Sequence, residues 1–223
     1  MRHYFIMTVI ALFMSACSQP SEKVENTNAK QATQTDEISQ LHKRLDAYFV
    51  ALESQQTDAM LDMLYYKVYT VIPRDIFKKQ IDQAYNNPSI PKILSNTYDK
   101  NIQIKNYSNG QYARITWNSE AEMPTKTTNP KKEDFLLKYM KKYMKKIMNN
   151  TTLTLDRKQH KLHLSIKKRS MLAIKENGRK WEVFNETRPR PIRSKQSELI
   201  RSKLFDILPK DIKPKVKHWL LKP

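Results

Sequence analysis

Apolar residues recur at three- and four-residue steps from Glu37 to Ser54, at Ile38, Leu41, Leu45, Tyr48, Phe49 and Leu52, which predicts a helix with one apolar stripe. Asp36 is placed to cap it. A second helix is expected from Thr57-Asp58 through Met60, Leu61, Leu64 and Val68, up to the break at Pro73. Arg74 to Asn86 reads as a third, with Ile76, Phe77, Ile81, Ala84 and Tyr85 on its buried side. The period then falls from 3.6 to 2. Asn101–Tyr107 and Gln111–Trp117 alternate around the turn Ser108-Asn109-Gly110, so they read as a hairpin with Ala113, Ile115 and Trp117 on one face. Helical spacing returns over Lys131–Asn149. Strands follow at Thr152–Leu155, Lys161–Lys167, Ser170–Lys175 and, after the Asn177-Gly178 turn, Lys180–Asn185. A last helix is expected over about Ser197–Leu208.

Helices first and antiparallel strands afterwards predict an α+β fold. The N-terminal helices would pack on a curved antiparallel sheet, with a helical insertion and a C-terminal helix. Leu45-Asp46-Ala47-Tyr48-Phe49, Thr57 to Asp62, Tyr65 to Tyr69 and Ile72-Pro73 together resemble the opening of a nuclear-transport-factor-2-like (SnoaL-like) domain. The resemblance spans about residues 38–187 and implies a cone-shaped pocket lined by Tyr48, Asp62, Tyr65, Trp117 and Trp181, with Asp62 as the carboxylate that could act as a base. The Lys131–Asn149 helix departs from that pattern.

The N-terminus adds an address. Arg2 precedes an apolar run of eleven residues, Tyr4–Met14, and then Met14-Ser15-Ala16-Cys17. That is a basic start, a compact apolar stretch and small residues before a cut site, and it is too short to span a hydrocarbon core of about 30 Å. It resembles a prolipoprotein signal, in which residues 1–16 are removed and Cys17 becomes the acylated first residue. Ser18, rather than Asp, follows the cysteine, which implies sorting to the outer membrane on its periplasmic side. Residues 17–36 carry one strongly apolar residue, Val24, and read as a flexible tether. The α+β domain is then expected over 37–187, and residues 188–223 as a basic linker, a helix and a tail bearing Trp219.

Cys17 is the sole cysteine, so with Cys17 acylated neither disulfides nor thiol chemistry are expected. His160 and His163 lie three apart, on opposite sides of a strand, and no carboxylate joins them at ligand spacing; no metal and no cofactor are expected. Only Gly110 and Gly178 are present, which excludes a Gly-x-Ser-x-Gly elbow and a phosphate loop. The residues nominate no catalytic group beyond Asp62.

Charge supplies the strongest local signal. The net charge is +19, and residues 131–223 hold 27 Lys and Arg against 9 Asp and Glu. Such asymmetry implies a polyanionic partner. The export signal points to anionic lipid, lipopolysaccharide or an envelope protein, and away from nucleic acid. Lys138, Lys141, Lys142, Lys145 and Lys146 gather on one side of the Glu133–Met148 helical wheel, opposite Leu136, Tyr139, Met140, Tyr143, Met144 and Ile147. Basic amphipathic helices bind anionic membranes or partner grooves. Lys167, Lys168 and Arg169 form a second basic cluster. The sequence reading is a lipid-anchored, non-enzymatic binding or accessory protein. A small-molecule or isomerase- or hydrolase-like cone pocket, or an immunity or inhibitor protein, are the alternatives.

Overall fold

A computed structural model describes residues 27–147, 150–185 and 195–220. Residues 1–16, Cys17, the tether to residue 26 and the 186–194 linker lie outside the described residues. The chain divides into two compact units, 1–36 and 37–223. Of the first, the described part is the start of helix α1.

Helix α1 runs Thr27–Glu53, so it begins ahead of the expected Asp36 cap and takes in residues 27–36 of the expected tether. That stretch is polar yet holds no Pro or Gly, and its Ala, Lys and Gln residues are good helix formers. The expected second helix is broken in two. Helix α2 covers only Thr57–Leu61, and a 3-10 turn follows at Tyr66–Thr70. Between them the chain extends to pair with a strand edge: Val183 N donates to Met63 O (2.8 Å), and Tyr65 N donates to Val183 O (2.9 Å). Capturing that edge satisfies backbone groups that would otherwise lie open. Helix α3 spans Arg74–Tyr85 behind Pro73, much as its spacing predicted, although Ile76 is exposed.

The sheet is wholly antiparallel, with strands β1 (Lys92–Tyr98), β2 (Ile104–Tyr107), β3 (Gly110–Pro124), β4 (Thr151–Asp156), β5 (Lys161–Glu176) and β6 (Glu182–Phe184). Strands β3 and β5 pair from Gly110↔Glu176 to Pro124↔Lys161 and form its centre. One edge is filled by β1 and β2 in series, the other by β4 and β6. Strand β1 has no counterpart in the sequence reading, because its buried and exposed positions do not alternate cleanly. The register shifts between Trp117 and Ser119, opposite Ile166 and Arg169 on β5, and this bulge bends the sheet. Gly110 starts β3 with φ +152°, and a Cβ there would sit 2.0 Å from Lys175 O.

Helices cover both faces of the sheet. Met171 and Ala173 of β5 join Ala113, Ile115, Trp117, Trp181 and Val183 beneath Leu41, Leu45, Tyr48 and Phe49 of α1 and Met60 and Leu61 of α2. The alternate residues Leu172 and Ile174, with Tyr112 and Phe184, face Leu204, Leu208, Ile212 and Val216. These last belong to and connect helix α5 (Lys195–Asp206) and helix α6 (Lys213–Leu220). The unbroken apolar run Met171-Leu172-Ala173-Ile174 is the signature of a strand buried on both sides. A third cluster lies farther along β3 and β5. There Leu136, Leu137, Met140 and Met144 of helix α4 (Pro130–Ile147) pack on Ala121, Met123, Leu153, Leu162 and Leu164. The α+β class predicted from the element order is the observed one.

Candidate functional site

Helix α4 is built for a fixed position. Asn129 caps it, with Oδ1 accepting from Lys131 N (3.0 Å) and Lys132 N (3.3 Å), and Pro130 opens the first turn, where its missing N–H is harmless. Glu133 is 1% exposed, a position a carboxylate occupies only with partners. Its Oε1 lies 2.8 Å from His160 Nδ1 and accepts from Thr125 Oγ1 (3.1 Å). Asp134 pairs with Arg157 at 2.7 Å. These contacts fasten the helix start to the β4–β5 turn, while the four apolar side chains fasten its inner face.

The outer face differs from its predicted composition. Lys138, Lys141 and Lys142 are exposed, as are Lys131 and Lys132. Phe135 (72% exposed) and Tyr139 (58%) stand among them rather than in the core. Tyr139, assigned to the apolar side from its spacing, falls about 80° around the wheel from Lys131, whereas Met140 falls opposite. The apolar face therefore closes over Leu136, Leu137, Met140 and Met144, and the two rings remain on the lysine side. The side chains of Lys145 and Lys146, and those of Tyr143 and Ile147, lie outside the described residues.

The second basic cluster sits on the sheet's bulge. Lys167 N donates to Asn150 O (2.9 Å), so the bulge adjoins the start of β4. Lys168 adopts φ +52° and its N–H donates to Asn118 Oδ1 (2.9 Å). Lys167 and Lys168 are exposed, with Lys167 paired to Glu120 at 3.0 Å. Arg169 does not belong to that surface. Its guanidinium turns in over the Trp117 ring, 5.2 Å from the centroid. Burial lowers its pKa to about 10, against the opposing pull of Tyr48. The alternation of the strand past the bulge decides this, since Arg169 pairs with Trp117 and shares its face.

The five expected pocket residues are not brought together. Tyr48, Trp117 and Trp181 are buried in the cluster beneath α1, where Phe49, Met60 and Met63 pack among them. Tyr65 lies in the cluster on the opposite face, because the chain extends at Leu64 and turns successive side chains to opposite sides. Asp62 is a correction as well. It ends α2 with a 69% exposed side chain and accepts from Arg74 Nη2 at 2.7 Å, so the pocket base predicted at this position lies at the surface.

Tyr65 belongs instead to a network that sequence spacing did not reveal. Glu176 accepts from Tyr65 OH (2.7 Å), Tyr66 OH (2.9 Å) and Lys67 Nζ (2.6 Å). Burial works against its charge, but these three donors hold its carboxyl below the usual range. Burial and the same carboxylate push the Tyr65 hydroxyl far up. Arg179 lies 3.8 Å over the Tyr66 ring and pairs with Glu182 at 2.7 Å. With every strong acceptor engaged, this network reads as a clasp between the 3-10 turn and β5.

Among the described residues, no group of three His, Cys, Asp or Glu gathers at metal-binding geometry, and no helix is long and apolar enough to cross a membrane. Comparison with family models, curated proteins and solved structures finds no match.

Proposed function

We propose that this is a lipid-anchored envelope protein, acylated at Cys17, whose folded domain is a non-enzymatic module that docks on an anionic membrane surface through the outer face of α4. One observation carries the reading: Phe135 and Tyr139 are exposed within a field of five exposed lysines on a helix whose other face packs on the sheet through Leu136, Leu137, Met140 and Met144. The outer face of a surface helix carries mainly charged and polar residues. Aromatic rings beside lysines suit the boundary between headgroups and acyl chains, where the rings bury and the ammonium groups meet phosphate. Acyl chains on Cys17 would supply the anchor, and α4 would set how the domain lies on the bilayer. Lys168, with no carboxylate partner among the described residues, would extend the basic field.

The test is co-sedimentation of residues 18–223 with neutral and with anionic vesicles at rising salt. Binding to anionic vesicles that weakens with salt is expected, because screening shortens the reach of exposed charge. Equal, salt-insensitive binding to both vesicle types would overturn the reading.

A further inference from the structure

The chain holds two Asn-Gly pairs, Asn109-Gly110 and Asn177-Gly178. The sheet brings them to the same end, where Asn177 N donates to Asn109 O (2.9 Å). An Asn followed by Gly is prone to attack by the next backbone nitrogen on its side-chain amide, because glycine brings no Cβ to block the approach and lets the backbone turn. The two pairs are held differently. Gly110 pairs with Tyr107 on one side and with Glu176 on the other, and a Cβ there would sit 2.0 Å from Lys175 O. Its nitrogen can swing only if strand pairing opens. Gly178 lies in the turn Glu176–Arg179, closed by Arg179 N donating to Glu176 O (3.0 Å), with φ +75° at the third position, as a type II turn requires. Asn177 and Gly178 are both exposed, and a Cβ on Gly178 would meet nothing within 4 Å. Among the described residues, neither the Asn177 side chain nor Gly178 N makes a hydrogen bond.

We propose that Asn177 is a site of spontaneous covalent modification, with water as the only co-reactant, and that the change loosens the clasp at Glu176. Gly178 N attacks Asn177 Cγ. The new C–N bond closes a cyclic imide as the Cγ–Nδ2 bond breaks, and ammonia leaves with the amide proton of Gly178. Water then opens either C–N bond of the imide, so no oxidation or reduction takes place. One product is aspartate. The other is isoaspartate, in which the main chain runs through the side-chain carbon and is one carbon longer. That extra carbon falls inside a four-residue turn tied by the Arg179–Glu176 and Asn177–Asn109 bonds. Glu176 immediately precedes it and holds Tyr65, Tyr66 and Lys67, so a displaced turn draws its carboxylate away from those donors.

The experiment incubates the full chain, held in uncharged detergent micelles, in warm neutral buffer made with heavy-oxygen water. Mass spectrometry then follows the peptides that carry each pair, and chromatography separates aspartate from isoaspartate. Heavy oxygen should enter at Asn177 at least tenfold faster than at Asn109, where local opening would cost about 1.4 kcal/mol or more. In the urea-unfolded chain the two should convert at similar rates, and a difference that persists there would overturn the structural cause. Asn177→Gln lengthens an exposed side chain and disfavours the ring closure, so its thermal midpoint should match that of the fresh parent. Storage should lower the parent's midpoint and leave that of Asn177→Gln unchanged. Absent label at Asn177, or equal label at both pairs in the folded chain, would overturn the site. Label at Asn177 with an unchanged midpoint would overturn its effect on the clasp.

Discussion

Replacing Lys138, Lys141 and Lys142 together with Gln isolates the electrostatic part of α4 docking. The three ammonium groups are exposed, and none pairs with a carboxylate among the described residues. Their removal should therefore leave the fold intact, within the about 0.5 kcal/mol typical of surface changes. Each lysine near an anionic surface contributes about 1 kcal/mol, so the triple variant should lose about 3 kcal/mol of binding to anionic vesicles. At 1.4 kcal/mol per decade, that is a partition coefficient roughly 150-fold lower. The assay is fluorescence-monitored vesicle titration across a salt series, with thermal denaturation as the folding control. The parent's affinity should fall with salt as the screening length shrinks from about 10 Å at 0.1 M to about 3 Å at 1 M, and the triple variant's should fall much less. Changing Phe135 and Tyr139 to Ser should do the reverse, weakening affinity while preserving the salt slope. Parent-like affinity and salt slope in the triple variant would refute the assignment of α4 as the contact.

Other consequences concern the fold that presents this face. Tyr65→Phe deletes one charged-acceptor hydrogen bond of Glu176 and should cost about 1.5–3 kcal/mol at neutral pH by chemical denaturation. Because the folded pKa of Glu176 lies below its ordinary 4.5, its contribution is complete above that value and is lost as pH falls through the folded one. The gap between Tyr65→Phe and parent should narrow there, and a pH-independent gap would refute the clasp. His160→Ala leaves the 1% exposed Glu133 carboxylate short of a partner and should destabilise by about 1–3 kcal/mol, with earlier hydrogen exchange in the first turn of α4 as the local readout. Ile212→Ala, at a fully buried site against the sheet's second face, should cost about 2–5 kcal/mol in urea unfolding. A loss under about 0.5 kcal/mol would place the C-terminal helices off the sheet.

Much of this architecture is local and could be read along the chain. The stripe Leu41, Leu45, Tyr48 and Phe49 and the inner row Leu136, Met140 and Met144 are periodic, and helices that bury one face must be. The Asn109-Gly110 and Asn177-Gly178 turns and the alternation around Ile115 follow from backbone geometry that few residues can adopt. The basic bias of residues 131–223 and the single cysteine are matters of composition, legible without any fold. What long-range pairing decides could not be read. Its spacing fits Leu64 to a helix, yet it lies extended because Val183 offers an unsatisfied edge more than a hundred residues away. Sequence groups Arg169 with its basic neighbours, yet one bulge turns it onto Trp117. Glu133 and His160 are unremarkable in sequence, and the clasp at Glu176 joins side chains 109 to 111 positions apart. Periodicity says that a side chain is buried; only the register of the sheet says on which face, and that choice separates Tyr65 from Tyr48, leaves Asp62 in solvent, and sets two aromatic rings among lysines on the outside of α4.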